Sequence, residues 1–384
     1  MRILHTSDWH IGRTFHGNPT LVALSEVLQA LVEQVRANDV DVVIVAGDVF
    51  DSSTPAAPAY TLLTDTLRAL ADTGASVIVT SGNHDSAARL GFQSALLREG
   101  IHVVTDPLAL DLPLTIRDEH GEVDFYGIPY LEPAIVRNTW EGADLRSQAQ
   151  TIGHAMSLVR TSIQRRGVRS VAIAHCFAVG VEATPGVERE VRQGSLDMVP
   201  LSAFDGPDYV ALGHIHGRQQ LSDRVRYSGA PLHYSFGERD KPRGSWLVDL
   251  DADGLAQVEW LPLPVPRRLV VLRDTLDALL TDPAYSGVED AWVSVEYTDR
   301  TPQRDTMRRL QQRFPFCAVV VHVPHGAKVQ TTATYRDRLR AATSDEERIE
   351  AFLVHVRAEE GASAAERELI REILDEHARA GALV

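Results

Sequence analysis

The sequence predicts an α/β fold of layered strands and helices, followed by smaller units. Residues 40–46, 76–79, 171–174 and 209–212 are short, almost unbroken apolar runs, the pattern of strands buried on both faces. Between them, Leu21, Leu24, Leu28, Leu31 and Val35, then Leu63, Leu67 and Leu70, recur at helical spacing and would lay one apolar stripe on a sheet. The length of 384 residues exceeds one small domain and leaves room for two or three folding units.

Pro262, Pro264 and Pro266 form a semi-rigid connector after the last of these elements. The pattern then restarts with an apolar run at 269–272, a short helix, a strand at 292–297, a helix opened by Thr301 and Pro302, and a strand at 318–323. Together these read as a small α+β domain. Beyond the polar stretch 327–334 the remainder is helical. Ser344 with Glu347, and Ser363 with Glu366, have capping-box spacing. Each box precedes an apolar stripe, Ile349, Phe352, Leu353 and Val356 in one case and Leu369, Ile370, Ile373 and Leu374 in the other. Two amphipathic helices joined through Glu360, Gly361 and Ala362 make a C-terminal helical hairpin.

Composition narrows the class of protein. With 44% hydrophobic and 24% charged residues the chain is neither disordered nor fibrous. It is polar within its first eight residues and has no apolar stretch of transmembrane length, so a cytoplasmic protein without membrane association is expected. Cys176 and Cys317 sit in apolar strand contexts and are expected to be buried free thiols. The net charge is −15, with 21 basic against 33 acidic residues in 1–266, 9 against 8 in 267–330, and 8 against 12 in 331–384. An acidic first segment that handles phosphate must import positive charge, and divalent metals are one source.

Five predicted strands end in a polar cluster: Asp8-Trp9-His10, Gly47-Asp48, Gly82-Asn83-His84-Asp85, Ala174-His175-Cys176 and Gly213-His214-Ile215-His216. A lone histidine at a strand end is ordinarily just a hydrogen-bonded residue. Five coincident clusters are another matter, because ligands bind at the carboxyl ends of the strands in α/β sheets. Carboxylate, amide oxygen and imidazole suit manganese, iron or zinc, and the lack of thiolates argues against a structural zinc site. Asp48 has two oxygens and follows a buried strand, so it is suited to bridging two cations. Two metals about 3.5–4 Å apart can activate a water, polarise a phosphoryl group and stabilise the leaving oxygen. Phosphoester hydrolysis is the expected chemistry.

The motifs Asp-x-His, Gly-Asp-x-x-Asp, Gly-Asn-His-Asp, Ala-His and Gly-His-x-His, in this order, resemble the calcineurin-like metallophosphoesterase superfamily. The stretches MRILHTSDWHIGR (1–13), VAGDVFD (45–51), SGNHDS (81–86), ALGHIH (211–216) and YSGAPLHYSFGE (227–238) are similar to its SbcD family of nuclease subunits. The similarity runs along nearly the whole chain, although the motifs lie only in residues 1–240.

The resemblance implies a layered β-sandwich flanked by helices over residues 1–264, the metallophosphoesterase fold. It further implies an α+β capping domain over 265–326 that positions DNA, and a hairpin over 335–384 that docks on an SbcC-type ATPase subunit. One divalent ion would take Asp8, His10, Asp48 and His216, the other Asp48, Asn83, His175 and His214, with manganese the metal expected at both. His84 would sit over the phosphate and protonate the departing oxygen, and Asp85 would orient it. The implied activity is ATP-dependent 3′→5′ exonuclease action on duplex DNA and endonuclease action on single strands and hairpins, in DNA end processing, replication, repair and recombination. A homodimer is expected through helices near residues 60–70 and 87–98, within a heterotetramer associated with the nucleoid. A small-substrate phosphatase or phosphodiesterase of the same superfamily is the alternative; a non-catalytic scaffold would lack ligands that are all present. His5 reads as a satisfied sheet residue. His16, His154, His233 and Arg13 lie outside the expected site, and Asp51 has no assigned part in it.

Overall fold

Two six-stranded sheets face one another in the first of two units into which the chain divides, Met1–Val270 with Asp290–Ser294; the second unit is Val271–Glu289 with Val295–Val384. The computed structural model describes all residues except 141, 142, 144, 179–197, 325–338, 340, 341, 343, 357–360 and 382–384. The expected polar stretch 327–334 and the first residues of the expected hairpin segment therefore lie outside the described residues.

In the first sheet, Arg2–Thr6, Val42–Ala46, Ser76–Thr80 and Ile101–Val104 run parallel, and the antiparallel pair Gly244–Asp251 and Gly254–Pro262 extends it beside Arg2–Thr6. In the second, Gly121–Gly127, Arg169–His175, Tyr209–Gly213 and Val225–Tyr227 run parallel between the antiparallel edges Leu114–Asp118 and Gln219–Gln220. Strand periodicity explains why both faces are apolar. Val42, Ile44 and Ala46 share a buried cluster with Val123, Phe125, Val171, Ile173, Tyr209 and Ala211 of the facing sheet. The alternate residues Val43 and Val45 pack instead with Leu24, Leu28 and Leu31 of helix Leu21–Ala37 and Leu63, Leu67 and Leu70 of helix Ala57–Ala71. On the far side, Tyr126, Ala172, Ala174, Val210 and Leu212 pack with Ile152, Met156 and Val159 of helix Gln148–Arg166. The order of layers is helix, sheet, sheet, helix.

Such stacking puts the carboxyl ends of both parallel sets along one edge of the sandwich. The burial holding it is large: each fully enclosed Val, Leu or Ile is worth about 1.5–3 kcal/mol. Cys176 and Cys317 are free and buried.

A three-stranded sheet is formed by Leu269–Asp274, Trp292–Tyr297 and Cys317–His322, whose residues 269, 270 and 292–294 belong to the first unit, with helices Leu276–Thr281 and Thr306–Arg313 in the second. The latter starts later than the Thr301-Pro302 signal suggests, because Asp305 adopts φ +50° and interrupts any earlier helical turn. Both capping boxes form reciprocally. Ser344 N–H donates to Glu347 and Glu347 N–H to Ser344 Oγ, and the same exchange joins Ser363 and Glu366. They open helices Asp345–Val356 and Ala364–Gly381, which are tied by Arg367 to Glu350 at 3.1 Å and Arg371 to Glu346 at 3.2 Å.

His5 illustrates a polar residue the sandwich must satisfy. It is completely buried, with Nδ1 2.9 Å from the Tyr209 hydroxyl and Nε2 3.1 Å from the Leu212 carbonyl. Burial lowers its imidazole from the ordinary 6.5 to about 3, so the folded protein keeps it neutral while the unfolded chain takes up a proton below 6.5. The stability that follows is complete above pH 6.5 and is lost as pH falls below it, by about 1.4 kcal/mol per pH unit. Urea unfolding of wild type and His5→Gln between about pH 7 and 5 should therefore show a shallower pH slope for the variant; parallel slopes would contradict a neutral buried His5.

Candidate metal centre

Every residue expected to ligate a metal lies at or just beyond the carboxyl end of a parallel strand. Asp8 and His10 follow Arg2–Thr6, Asp48 follows Val42–Ala46, Asn83 follows Ser76–Thr80, His175 ends Arg169–His175, and His214 and His216 follow Tyr209–Gly213. The turns that deliver them are tight. Asp8, His10, Asp48 and His214 have φ of +54°, +44°, +49° and +107°, a region that L-residues adopt at a cost of about 1–3 kcal/mol each. Gly47 sits at φ +78°, where a Cβ would also strike the His175 ring, and a Cβ on Gly82 would strike the Asp48 carboxylate.

The structure brings all seven together. Among the described residues, three groups hold ligand atoms within 4.8 Å of one another: Asp8, His10 and His216; His10, Asp48 and His84; and Asp48, His175 and His214. His10 Nε2 is 3.0 Å from His216 Nε2 and 3.6 Å from Asp48 Oδ2. His175 Nε2 lies 3.3 Å from that same Asp48 oxygen and 3.0 Å from Asn83 Oδ1, which is also 3.0 Å from His214 Nδ1. Asp48 thus stands between the two halves, and its other oxygen accepts the His84 backbone N–H at 2.9 Å.

Surrounding groups decide which nitrogens face inward. His175 Nδ1 donates to the Ala46 carbonyl at 2.9 Å and His216 Nδ1 to Glu238 at 3.3 Å. The Asp51 carboxylate, 3.3 Å from His10 Nδ1, favours a proton there. His10 and His216 therefore turn Nε2 lone pairs toward one another, while His175 directs its Nε2 at the Asp48 carboxylate and the Asn83 amide oxygen. Acceptors crowded at about 3 Å in a dry site repel unless protons or cations sit among them. Burial above all pushes His10 and His216 below the ordinary imidazole range and His214 down to about 3, so these rings are neutral at pH 7, as ligands must be. Burial also drags His175 down, but the Asp48 carboxylate overcomes this and lifts it to about 9; burial raises Asp48, and the rings of His175, His10 and His84 outweigh it and hold the carboxyl well below its usual range. The donor set fits a pair of divalent cations.

His84 stands on the open side. It lines a cleft of about 610 Å³ with Arg13, Thr14, Asp51, Ser52, Ser53 and Asn83. Its orientation differs from the expectation that Asp85 would fix it. The ring Nδ1 faces the Asp51 carbonyl at 2.9 Å, whereas the Asp85 carboxylate accepts the backbone N–H groups of Gly82, Val49 and Phe50 at 2.9–3.0 Å. A carboxylate one residue away points into the turn and clamps the Asp48 and Asn83 loops to each other. Burial and the nearby Asp48 push Asp85 up to about 7 even though its three amide donors pull the other way.

Arg13, left out of the expected site, reaches the cleft with its guanidinium 3.3 Å from Asp51 and 5.1 Å from the Tyr234 ring centre. His16 instead stands edge-on to Phe15 and tilted against Phe236, and His154 lies tilted against Trp140; neither joins a ligand group among the described residues. Glu238 escaped notice although it ends one of the motif stretches; its signal is an acidic residue in a run otherwise built for burial. Replacing Asp85 by Ala should strand three amides and lower the urea unfolding free energy by about 3 kcal/mol; a variant as stable as wild type would refute the clamp.

The calcineurin-like phosphoesterase family model matches residues 1–218, and a second, described as the type 5 capsule protein repressor C-terminal domain of the SbcD kind, matches residues 265–357. Three solved structures are similar at low identity. TT1561 of Thermus thermophilus is 13% identical over 68% of this chain and 98% of its own, with a TM-score of 0.40. A dimetal phosphatase from Danio rerio is 13% identical over 69% and 99%, with a TM-score of 0.40. GAP50, the anchor in the inner membrane complex of Plasmodium, is 9% identical over 85% and 98%, with a TM-score of 0.39. With residues 1–218 of 384 matched, the chain belongs to the calcineurin-like phosphoesterase family, in its SbcD-type branch.

Proposed function

We propose that the chain is the nuclease subunit of an SbcCD-type complex, a manganese-dependent DNA exonuclease and endonuclease that works with an SbcC-type ATPase in DNA end processing. The observation that carries this reading is a dimetal donor set on the same chain as an SbcD-type C-terminal segment. Asp8, His10, Asp48 and His216 would hold one cation, and Asp48, Asn83, His175 and His214 the other. When bound, such a pair polarises the phosphoryl group and lowers the pKa of the attacking water. Asp48 fixes the spacing of the two halves. Arg13, beside Asp51 on the cleft wall, offers a guanidinium to an incoming phosphodiester. His84, with Nδ1 held on the Asp51 carbonyl, keeps Nε2 for protonating the leaving sugar oxygen.

The expected division at residues 264, 326 and 335 assigns DNA positioning to the small α+β sheet and partner docking to the hairpin. Exposed apolar residues support the docking role: Phe352, Leu369 and Ile373 are each at least half exposed on the paired helices. Homodimerisation near residues 60–70 and 87–98 is supported in the same way by Tyr60, Phe92 and Leu96, of which Phe92 is 72% and Leu96 80% exposed. No described helix is long and apolar enough to cross a membrane.

His84→Ala should retain manganese yet lose roughly 10²–10⁴-fold in turnover on linear duplex DNA with the ATPase present; undiminished turnover would contradict the assigned role. Leu369→Glu combined with Ile373→Glu should abolish capture of the ATPase while leaving hydrolysis of a nitrophenyl phosphodiester unchanged. Retained capture would remove the hairpin from the interface.

A further inference from the structure

Residues 228–243 follow the last ligand candidate and lie outside both family-matched stretches. They contribute no donor atom to the metal centre, yet they reach all three members of one ligand group, His10 and His216 directly and Asp8 through Ser7. Ser228 Oγ is 2.8 Å from Ser7 Oγ, which in turn donates to the Asp8 carboxylate. The Tyr234 ring stands edge-on to His10 and His216, with centroids 5.5 and 5.8 Å away, and its hydroxyl donates to the Trp9 carbonyl. Glu238 accepts the His216 Nδ1 proton at 3.3 Å through one oxygen; the other accepts the Tyr234 N–H and lies 3.2 Å from Arg243. Arg243 also donates to the His216 carbonyl at 2.7 Å and the Ala230 carbonyl at 3.2 Å.

Glu238 and Arg243 side chains are wholly buried. A buried ion pair is a poor source of stability, since desolvation offsets most of the attraction. Here the pair holds one histidine from both ends, the ring by the carboxylate and the backbone by the guanidinium. The side chains of Asn83, His175 and His214 are held differently, by the Ala46 carbonyl, Asp48 and one another, and the His214 N–H by Asp8; none of them is held by residues 228–243.

We infer that residues 228–243 are a positioning brace for the Asp8, His10 and His216 half of the centre, with Glu238 its principal positioning residue. It fixes the His216 tautomer so that Nε2 faces the ligand cavity, and it ties the affinity of one cation, but not of the other, to this segment. The inference rests on the metal-centre reading.

The test is titration of the metal-free, full-length protein with manganese, followed by calorimetry and by the electron paramagnetic resonance of unbound ion. Glu238→Asp keeps the charge against Arg243 but withdraws the carboxylate from His216 by one methylene; Ser228→Ala is a milder second variant removing one hydroxyl. Wild type should take up two ions. Glu238→Asp should weaken one of them roughly 10–100-fold and leave the other within about threefold, and Ser228→Ala should weaken the same one several-fold. Added to Asn83→Ala, Glu238→Asp should still weaken the remaining ion; added to His10→Ala, it should not. Two ions in wild type with equal loss at both, or at neither, would overturn the brace alone. Wild-type protein that takes up no manganese would sink the metal-centre reading and this inference with it.

Discussion

Acceptor atoms that would rather be apart are forced together here, and the architecture is organised around tolerating that. Each half of the centre joins one sheet to the other: His10 meets His216, Asn83 meets both His175 and His214, and the Asp8 carboxylate accepts the His214 N–H at 3.0 Å. No single strand could assemble this set, since successive side chains on a strand point to opposite faces. Opposing two parallel sheets with their carboxyl ends on one edge removes that limit. The cost appears locally as left-handed backbone at four ligand positions, and the large apolar sandwich beneath can bear it.

The residues that hold the ligands differ in kind from the ligands themselves. Asp85 stabilises two turns through backbone amides, the Ala46 carbonyl sets one imidazole, and Glu238 with Arg243 sets another. These partners determine which nitrogen of each ring carries its proton, and so whether a convergent cluster of histidines can act as ligands at all.

Much of this was legible in the sequence. The apolar runs at 40–46 and 171–174 are strands because nearly every residue in them is buried, and the polar residues ending them stand out as a break in pattern. The capping boxes at Ser344 and Ser363 formed as spaced, since they depend only on neighbours. Less was legible where the outcome is set by contacts distant in sequence. Nothing in the runs says that 42–46 and 76–80 share one sheet while 171–174 and 209–212 share another. The role of Asp85 misled because adjacency in sequence suggested contact with His84, whereas the turn points the two side chains apart. Glu238 is invisible as a partner of His216 until the chain between them doubles back, and the late start at Thr306 reflects one left-handed residue that composition does not betray.

The hydrogen bond from His175 to the Ala46 carbonyl has a further consequence, because it crosses from one sheet to the other at the very rim of the sandwich. Any widening of the gap between the layers separates donors that a bound ion needs close, and any ion present resists the widening. Ion binding and closure of this edge would then be a single equilibrium, with ion removal favouring its separation.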